Sequence, residues 1–283
     1  MSAGQIVLNI FLASLTQVFL WVGGTILVGF LIALGNKLFY KCTGTASMAV
    51  CLTTGVLGVP LHELGHALFC VIFAHKIVDM KLFMPSAPGG VLGYVQHSYN
   101  RKNIYQRLGN FFIGVGPIVL ISAVILVLER LLVPSIFTLT TAIQGYLSED
   151  AGGGNVFFAL ILYLDTFFSA NSLVKWRWWI YVFLSCFICL HMNLSGADIK
   201  GSQSGLLFTV ILFFILPIIT ALFDIKKLTV MNTVTNAMTT GGVYYVGVLV
   251  MAVVFVYLLV VLAFIISSIV KLFKKIFLRK KAA

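Results

Sequence analysis

Residues Val56 to Ile72 read VLGVPLHELGHALFCVI and place a cluster of ionisable side chains inside an apolar run. The run extends over residues 47–74 and contains no Lys, Arg or Asp. Because about 20 apolar residues in a helix cross the hydrocarbon core of a bilayer, this stretch predicts a transmembrane helix. Ionisable side chains are costly at that depth, so the cluster indicates a functional site.

The composition of the whole chain agrees with a membrane location. Of its 283 residues, 60% are apolar and 10% are charged, whereas soluble domains have roughly 45–50% and about 25%. A soluble globular enzyme and a disordered protein are both excluded. The apolar runs are long and do not alternate with polar residues, which favours helices over a β-barrel. We therefore predict an all-α polytopic membrane protein, with residues 1–283 forming a single integral membrane domain.

Six apolar stretches are long enough to form transmembrane helices. They are residues 12–36, 47–74, 108–131, 176–194, 204–223 and 243–270. Gly23 and Gly24 predict a kink in the first, and Trp176 opens the fourth with an aromatic side chain typical of a membrane interface. Residues 156–173 are apolar but contain Asp165, which favours an interfacial or re-entrant helix over a full span.

Residues 80–100 break the helical pattern between the second and third spans. They contain Pro85, Pro88, Gly89, Gly90 and Gly93, followed by a short β-prone segment. Turn residues beside such a segment are typical of a hairpin. We predict a membrane-associated β-hairpin here.

Basic residues predict the topology, because Lys and Arg concentrate in short cytoplasmic loops. The tail 271–283 is strongly basic and is expected in the cytoplasm. Six spans then place both termini and the basic residues around the hairpin inside, in a multi-pass protein of the cell membrane. A full span at residues 156–173 would invert everything before it. The net charge of +11 therefore reflects topology, and no nucleic-acid partner is expected.

The pentapeptide His62-Glu63-Leu64-Gly65-His66 has the spacing of a metal site on a helix. Residues four apart lie on one helical face, so His62 and His66 can bind the same ion. Zinc held by two His and a third ligand keeps a position open for water, which the metal activates. Glu63 is then placed to take a proton from that water and return it to a leaving amine. We predict one Zn²⁺ per chain.

The third zinc ligand has two main candidates near the end of the fourth span. Asp198 and His191 both lie on the predicted cytoplasmic side, where the second span also ends. His66 lies about 12 Å from that end of its helix at 1.5 Å per residue, so the segments can meet. Asp198 is the favoured ligand and His191 the alternative, with the other serving as an outer-shell or substrate-contacting group. Asp165 is a weaker candidate.

Over residues 48–203, the series of motifs resembles the site-2 protease family of intramembrane zinc metalloproteases, in a compact form without a PDZ or other regulatory domain. The pentapeptide is similar to the zinc motif of the family, and the stretch from Gly89 to Val95 stands where the family has a membrane-associated hairpin. Gly116-Pro117 resembles the Gly-Pro motif of its next helix. The segment from Asn193 to Asp198 resembles the one that delivers the third zinc ligand and an Asn near the substrate carbonyl.

The segment departs from the family pattern at three points. Ser195 replaces a Pro, Ile199 replaces the Gly after the Asp, and the Asn-to-Asp spacing is shorter. The resemblance nevertheless implies catalytic roles for Glu63 and Asn193, the latter at the oxyanion. It also implies a metalloprotease core over residues 48–203.

The sequence as a whole predicts an intramembrane zinc metalloendopeptidase. Its expected substrate is a membrane protein or a membrane-inserted peptide, cleaved in or near a transmembrane segment within the lipid bilayer. Gly89, Gly90 and Gly93 are expected to bind that substrate as an extended strand, because edge pairing supplies main-chain hydrogen bonds. The alternative is a non-catalytic zinc-binding membrane protein, either a transporter or a scaffold; a site of that kind has no need of Glu63.

Overall fold

Helices dominate the computed structural model, which describes residues 3–85, 90–139, 141, 161–224 and 229–281. Seven of these helices carry labels here: α1 Ala3–Val18, α2 Gly24–Thr43, α3 Ser47–Ile72, α4 Ile104–Leu132, α5 Trp176–Cys189, α6 Gly196–Asp224 and α7 Thr229–Lys281. Shorter helical pieces cover residues 134–139, 161–167 and Ala170–Leu173. A π-helical turn, Phe19–Gly23, lies at the predicted kink between α1 and α2.

Four helical stretches are long and apolar enough to cross a membrane, which agrees with a helical membrane protein. They are Val7–Ile72, Ile104–Leu132, Gly196–Ile219 and Tyr245–Lys274. The first contains two of the predicted spans, and the predicted total of six remains a prediction. α5 has 14 residues, or about 21 Å of helix, which is shorter than the roughly 30 Å hydrocarbon core.

A glycine separates α2 from α3. Gly44 has a φ of +57°, in the region that favours glycine because it has no Cβ. Its N–H donates to the Tyr40 carbonyl and closes α2. The Ser47 hydroxyl donates to the carbonyls of Gly44 and Tyr40, at 2.6 and 2.9 Å, at the start of α3. The 66-residue stretch Val7–Ile72 therefore contains at least two helices.

α4 lies at the centre of the fold and packs against both α3 and α6. Its residues Ile118, Ile121 and Ile125 are fully buried in the main hydrophobic core. α3 and α4 touch through their backbones: a Cβ added to Gly65 would lie 2.6 Å from the Pro117 nitrogen. This close crossing places the His-rich face of α3 against the middle of α4.

A two-stranded antiparallel sheet connects α3 to α4. Strand β1 covers Lys76–Lys81 and strand β2 covers Tyr94–Ser98, with an irregularity in register between Ile77 and Asp79. The sheet lies between the second and third predicted spans, although its first strand begins four residues before the predicted segment 80–100. Its association with the membrane remains a prediction.

Several predicted boundaries differ from those in the structure. The helix of the predicted fourth span ends at Cys189 rather than at residue 194, and the next begins at Gly196 rather than 204. The early start of α6 is caused by a capping box, in which the Asp198 N–H donates to the Ser195 hydroxyl and the Ser195 N–H donates to the Asp198 carboxylate, at 3.1 and 2.7 Å. Such a pair starts a helix.

In the basic tail, residues 271–281 continue α7 beyond the predicted end of the sixth span at residue 270.

Candidate metal centre

Three side chains from two helices converge beside the centre of α4. His62 and His66 lie one turn apart on α3, with their Nε2 atoms 3.1 Å apart. Asp198 reaches them from the first turn of α6, with Oδ1 3.2 Å from His66 Nε2 and Oδ2 3.8 Å from His62 Nε2. One ligand atom from each residue lies within 4.8 Å of the others, so these three residues could hold a metal ion.

Backbone carbonyls fix the orientation of both imidazoles. His62 Nδ1 lies 2.7 Å from the His191 carbonyl, and His66 Nδ1 lies 2.7 Å from the Ile113 carbonyl. A carbonyl only accepts, so each Nδ1 carries the proton and donates. The two Nε2 lone pairs then face each other and Asp198, an arrangement that a bound cation stabilises. In known metal sites, the ring nitrogen of a His ligand that does not bind the metal commonly donates a hydrogen bond of the same kind, which orients the ring.

The geometry fits a tetrahedral ion with nitrogen and oxygen ligands. Bond lengths of about 2.0–2.2 Å and tetrahedral angles separate two ligand atoms by roughly 3.3 Å. The separations of 3.1 and 3.2 Å lie close to that value, and the 3.8 Å separation is longer. The capping box that begins α6 also holds the Asp198 carboxylate, because the Ser195 N–H donates to it.

His191, the alternative third ligand, does not join the group. Its Nε2 lies 2.9 Å from the Thr54 hydroxyl, which bonds that ring to α3. Its backbone carbonyl instead accepts from His62. The His191 main-chain carbonyl therefore holds the His62 imidazole in place, while the His191 ring does not face the group. Among the residues that the structure describes, Asp165 belongs to no such group either.

Glu63 lies beside the three converging side chains, and 6% of it is exposed. It lines a cavity of about 490 Å³ together with His62, His66 and Asp198. Gly93 packs against it: a Cβ added there would lie 2.8 Å from Glu63 Cγ and 3.0 Å from its Oε1. The Glu63 carboxylate, a potential metal site and the backbone at Gly93 therefore share one cavity.

The other predicted site residues fall in different places. Gly93 lines the cavity, whereas Gly90 has a φ of +75° and open space around the position of a Cβ. Gly89 lies outside the described residues. Asn193 is exposed and is not among the described residues that line the cavity. The structure therefore brings Gly93 to the site and leaves Asn193 outside it.

Asn110, which the sequence analysis did not single out, also lines the cavity. It is 5% exposed, and its amide donates to the Ser204 hydroxyl at 2.8 Å. Asn110 sits near the start of α4, and only the packing of α4 on α6 brings it to the cavity. No local pattern distinguishes it from other asparagines.

His97 lines the same cavity and pairs with His75. His75 Nε2–H donates to the Gln106 carbonyl at 2.8 Å, so its Nδ1 accepts from His97 Nδ1–H at 3.0 Å. His97 Nε2 is then unprotonated. Burial lowers the pKa of both histidines, and the nearby His75 charge lowers the pKa of His97 further.

No family model, curated protein or solved structure matches the chain. The resemblance to the site-2 protease family therefore remains an expectation from the motifs. The chemistry of the site has to follow from its own side chains.

Proposed function

We propose that the protein is an intramembrane zinc metalloendopeptidase that binds one Zn²⁺ per chain. One observation carries the proposal: a buried Glu63 stands beside two imidazoles and a carboxylate whose ligand atoms lie within 4.8 Å of one another. These groups belong to helices long and apolar enough to cross a membrane. Buried ionisable groups at membrane depth are costly and mark function.

The ligand set favours zinc over the harder divalent cations. His62, His66 and Asp198 supply two nitrogens and one oxygen, whereas magnesium and calcium prefer six or more oxygens. Three protein ligands leave a fourth position open, as in catalytic zinc sites. When bound, zinc supplies Lewis-acid polarisation of a carbonyl and acidifies water at the site.

Glu63 carries the proton transfers of the proposed hydrolysis. Water adds its oxygen to the carbonyl carbon of the scissile peptide, and Glu63 takes one of its protons. The carbon–nitrogen bond then breaks, and Glu63 gives that proton to the departing amine nitrogen. Glu63 ends the cycle unprotonated, so the net reaction is addition of one water across one peptide bond.

β2 supports a role for the sheet in holding the substrate. In the part of the chain that the structure describes, β2 pairs only with β1, so its other edge has no strand beside it. Tyr94, Val95 and His97 of this strand line the cavity. An extended substrate added to that edge gains main-chain hydrogen bonds. A helical substrate segment must unwind first, because its carbonyls are already hydrogen-bonded.

The depth of the site supports cleavage near one face of the membrane. His66 lies six residues before the end of α3 at Ile72, which is about 9 Å along the helix. The sheet follows at that end, and its basic residues predict the cytoplasmic side. We propose that the centre opens to the cytoplasm and cuts the cytoplasmic half of a substrate span. The protein would be a multi-pass cell-membrane protein with both termini inside.

The decisive test compares wild type with Glu63→Gln in purified protein and in membranes. Glu63→Gln should keep about one zinc per chain, because the ligands are untouched, and should abolish cleavage. Comparative membrane proteomics should then reveal full-length substrates that accumulate only in this variant. Glu149→Gln, the same chemical change between the third and fourth predicted spans, serves as the matched control. Zinc retained with no difference in the membrane proteome would favour a transporter or a scaffold.

A further inference from the structure

The turn that follows α5 lies against the metal centre. It comprises residues 190–192, called the 190–192 turn here, and its N–H groups donate back to carbonyls at the end of α5, at 3.0–3.4 Å. Leu190 and Met192 are 3% and 0% exposed. The carbonyl of the middle residue, His191, accepts from His62 Nδ1. Any group that holds this turn in place therefore also holds an imidazole of the metal centre.

One face of α3 is shaped to receive His191. Thr54, Gly58 and His62 follow one another at intervals of four residues, so they lie along the same side of the helix. A Cβ added to Gly58 would lie 2.3 Å from His191 Cδ2 and 2.6 Å from its Cγ, far inside the ordinary carbon contact of about 3.5–4.0 Å. The ring therefore occupies the space that the missing side chain of Gly58 leaves. Its Nε2 lies 2.9 Å from the Thr54 hydroxyl, while the carbonyl of the same residue reaches His62.

α2 contacts the same turn through Asn36. This side chain is 2% exposed, and its amide donates to the Leu190 carbonyl at 3.0 Å. Asn36 lies in the apolar stretch Val7–Ile72, which is long enough to cross a membrane, and burying an amide in such surroundings is costly unless it is hydrogen-bonded. The bond to Leu190 offsets that cost and fixes the carbonyl next to the one that His62 uses.

We propose that Thr54, Gly58 and Asn36 are positioning residues that set the zinc affinity of the centre through the 190–192 turn. A fixed carbonyl in this turn keeps the proton on His62 Nδ1 and leaves the Nε2 lone pair directed to the ion. It also stops the ring from rotating, so less conformational freedom is lost when the ion binds. The inference rests on the proposed zinc site but not on the peptidase activity.

The test measures the zinc dissociation constant of the purified full-length protein in detergent, by competition with a chromogenic chelator. Thr54→Val keeps the shape of the side chain but removes the hydroxyl. It should weaken zinc binding about tenfold, because changes to groups that orient metal ligands cost roughly 10–100-fold. Thr54→Ser keeps the hydroxyl and should retain wild-type affinity. Thr53→Val makes the same change at the neighbouring exposed position and should leave the affinity unchanged.

Gly58→Ala and Asn36→Leu test the other two contacts. The new methyl group at residue 58 displaces the His191 ring, and leucine at residue 36 removes the donor to the Leu190 carbonyl, so both variants should also weaken zinc binding. Asn9→Leu, at an exposed position of α1, is the control for the second change. Thermal unfolding of the metal-free proteins identifies the variants that fold.

A double variant separates positioning from general packing. In His191→Ala the ring is absent, so adding Thr54→Val should cause little further loss of affinity, since changes to residues that act as one unit are not additive. Cobalt(II) in place of zinc gives a visible spectrum that is sensitive to ligand geometry. Thr54→Val should shift that spectrum, and Thr53→Val should not.

The possible failures are distinguishable. Additive losses in the double variant, equal losses in Thr54→Val and Thr53→Val, or wild-type affinity in a folded Thr54→Val protein would overturn the inference alone. Wild-type affinity in a folded Asn36→Leu protein would refute the contact from α2. A wild-type protein that binds no zinc would overturn the proposed function together with the inference.

Discussion

Replacing Gly93 by Ala tests whether the extended segment before β2 positions Glu63. A Cβ at Gly93 would lie 2.8 Å from both Glu63 Cγ and Val59 Cγ1. Ordinary carbon contacts are about 3.5–4.0 Å, so the new methyl group overlaps both by roughly 0.7 Å or more. Overpacking of this kind costs about 1–3 kcal/mol. Either the segment lifts away from α3 or the Glu63 side chain rotates.

We expect Gly93→Ala to reduce kcat/KM by about 100-fold, because displacing a catalytic group by about 1 Å has that effect. Zinc content should be unchanged, since the nearest atoms to the new methyl belong to Glu63 and Val59 rather than to a ligand. The assay is cleavage of a substrate identified by the proteomic comparison, with metal analysis and thermal unfolding on the same samples. Gly90→Asn is the matched control, because its surroundings are open and Asn tolerates a positive φ.

Three results would refute this reasoning. A Gly93→Ala protein that cleaves within twofold of wild type would show that the segment does not position Glu63. A protein that loses its zinc would show that the segment supports the ligands instead. Equal losses in Gly93→Ala and Gly90→Asn would indicate a general requirement for the loop rather than the contact with Glu63.

Three further predictions follow from the site and its surroundings. Asp198→Ala should lower zinc content well below one per chain, while His191→Ala should lower it less, because the His191 carbonyl that orients a ligand remains; equal losses in metal analysis would contradict this. The pKa values of His75 and His97 are lowered in the folded protein, so stability should be full above pH about 6.5 and fall below it as the unfolded chain takes up protons. His97→Gln should reduce that fall in a thermal-unfolding series between pH 7.5 and 5. A cysteine at Ser98, with the native cysteines replaced, should react with an impermeant maleimide only after the membrane is opened; reaction in intact cells would invert the topology.

The convergence of His62 and His66 could be predicted from sequence because it depends only on the helical period. His62 and His66 share a face wherever residues 62–66 form a helix, and they do so in α3. The approach of Asp198 depends on how α6 packs against α4, which one sequence does not specify. The start of α6 was nevertheless readable: Ser195 followed by Asp198 three residues later is a capping-box pattern. Reading it would have moved the predicted helix start from 204 to 196.

The remaining site residues act through features that side-chain types do not reveal. His191 contributes its backbone carbonyl, which every residue type carries. Asn110 reaches the cavity only because α4 packs against α6. Asn193 was selected by resemblance, but the chain unwinds after Cys189 and leaves it exposed. Sequence patterns describe local geometry, and these three placements are set by long-range packing.

The backbone contact between Gly65 and Pro117 fixes one side of the cavity. α3 and α4 cannot separate or slide without breaking the His66 bond to the Ile113 carbonyl, and His62 is tied to residue 191 in the same way. Those walls of the cavity form a fixed frame. The remaining wall is formed by Val91, Gly93 and strand β2, and the Met84 N–H bond to the Leu92 carbonyl holds this segment to the chain before it. In the proposed peptidase, a polypeptide substrate would therefore have to enter on the side of the sheet.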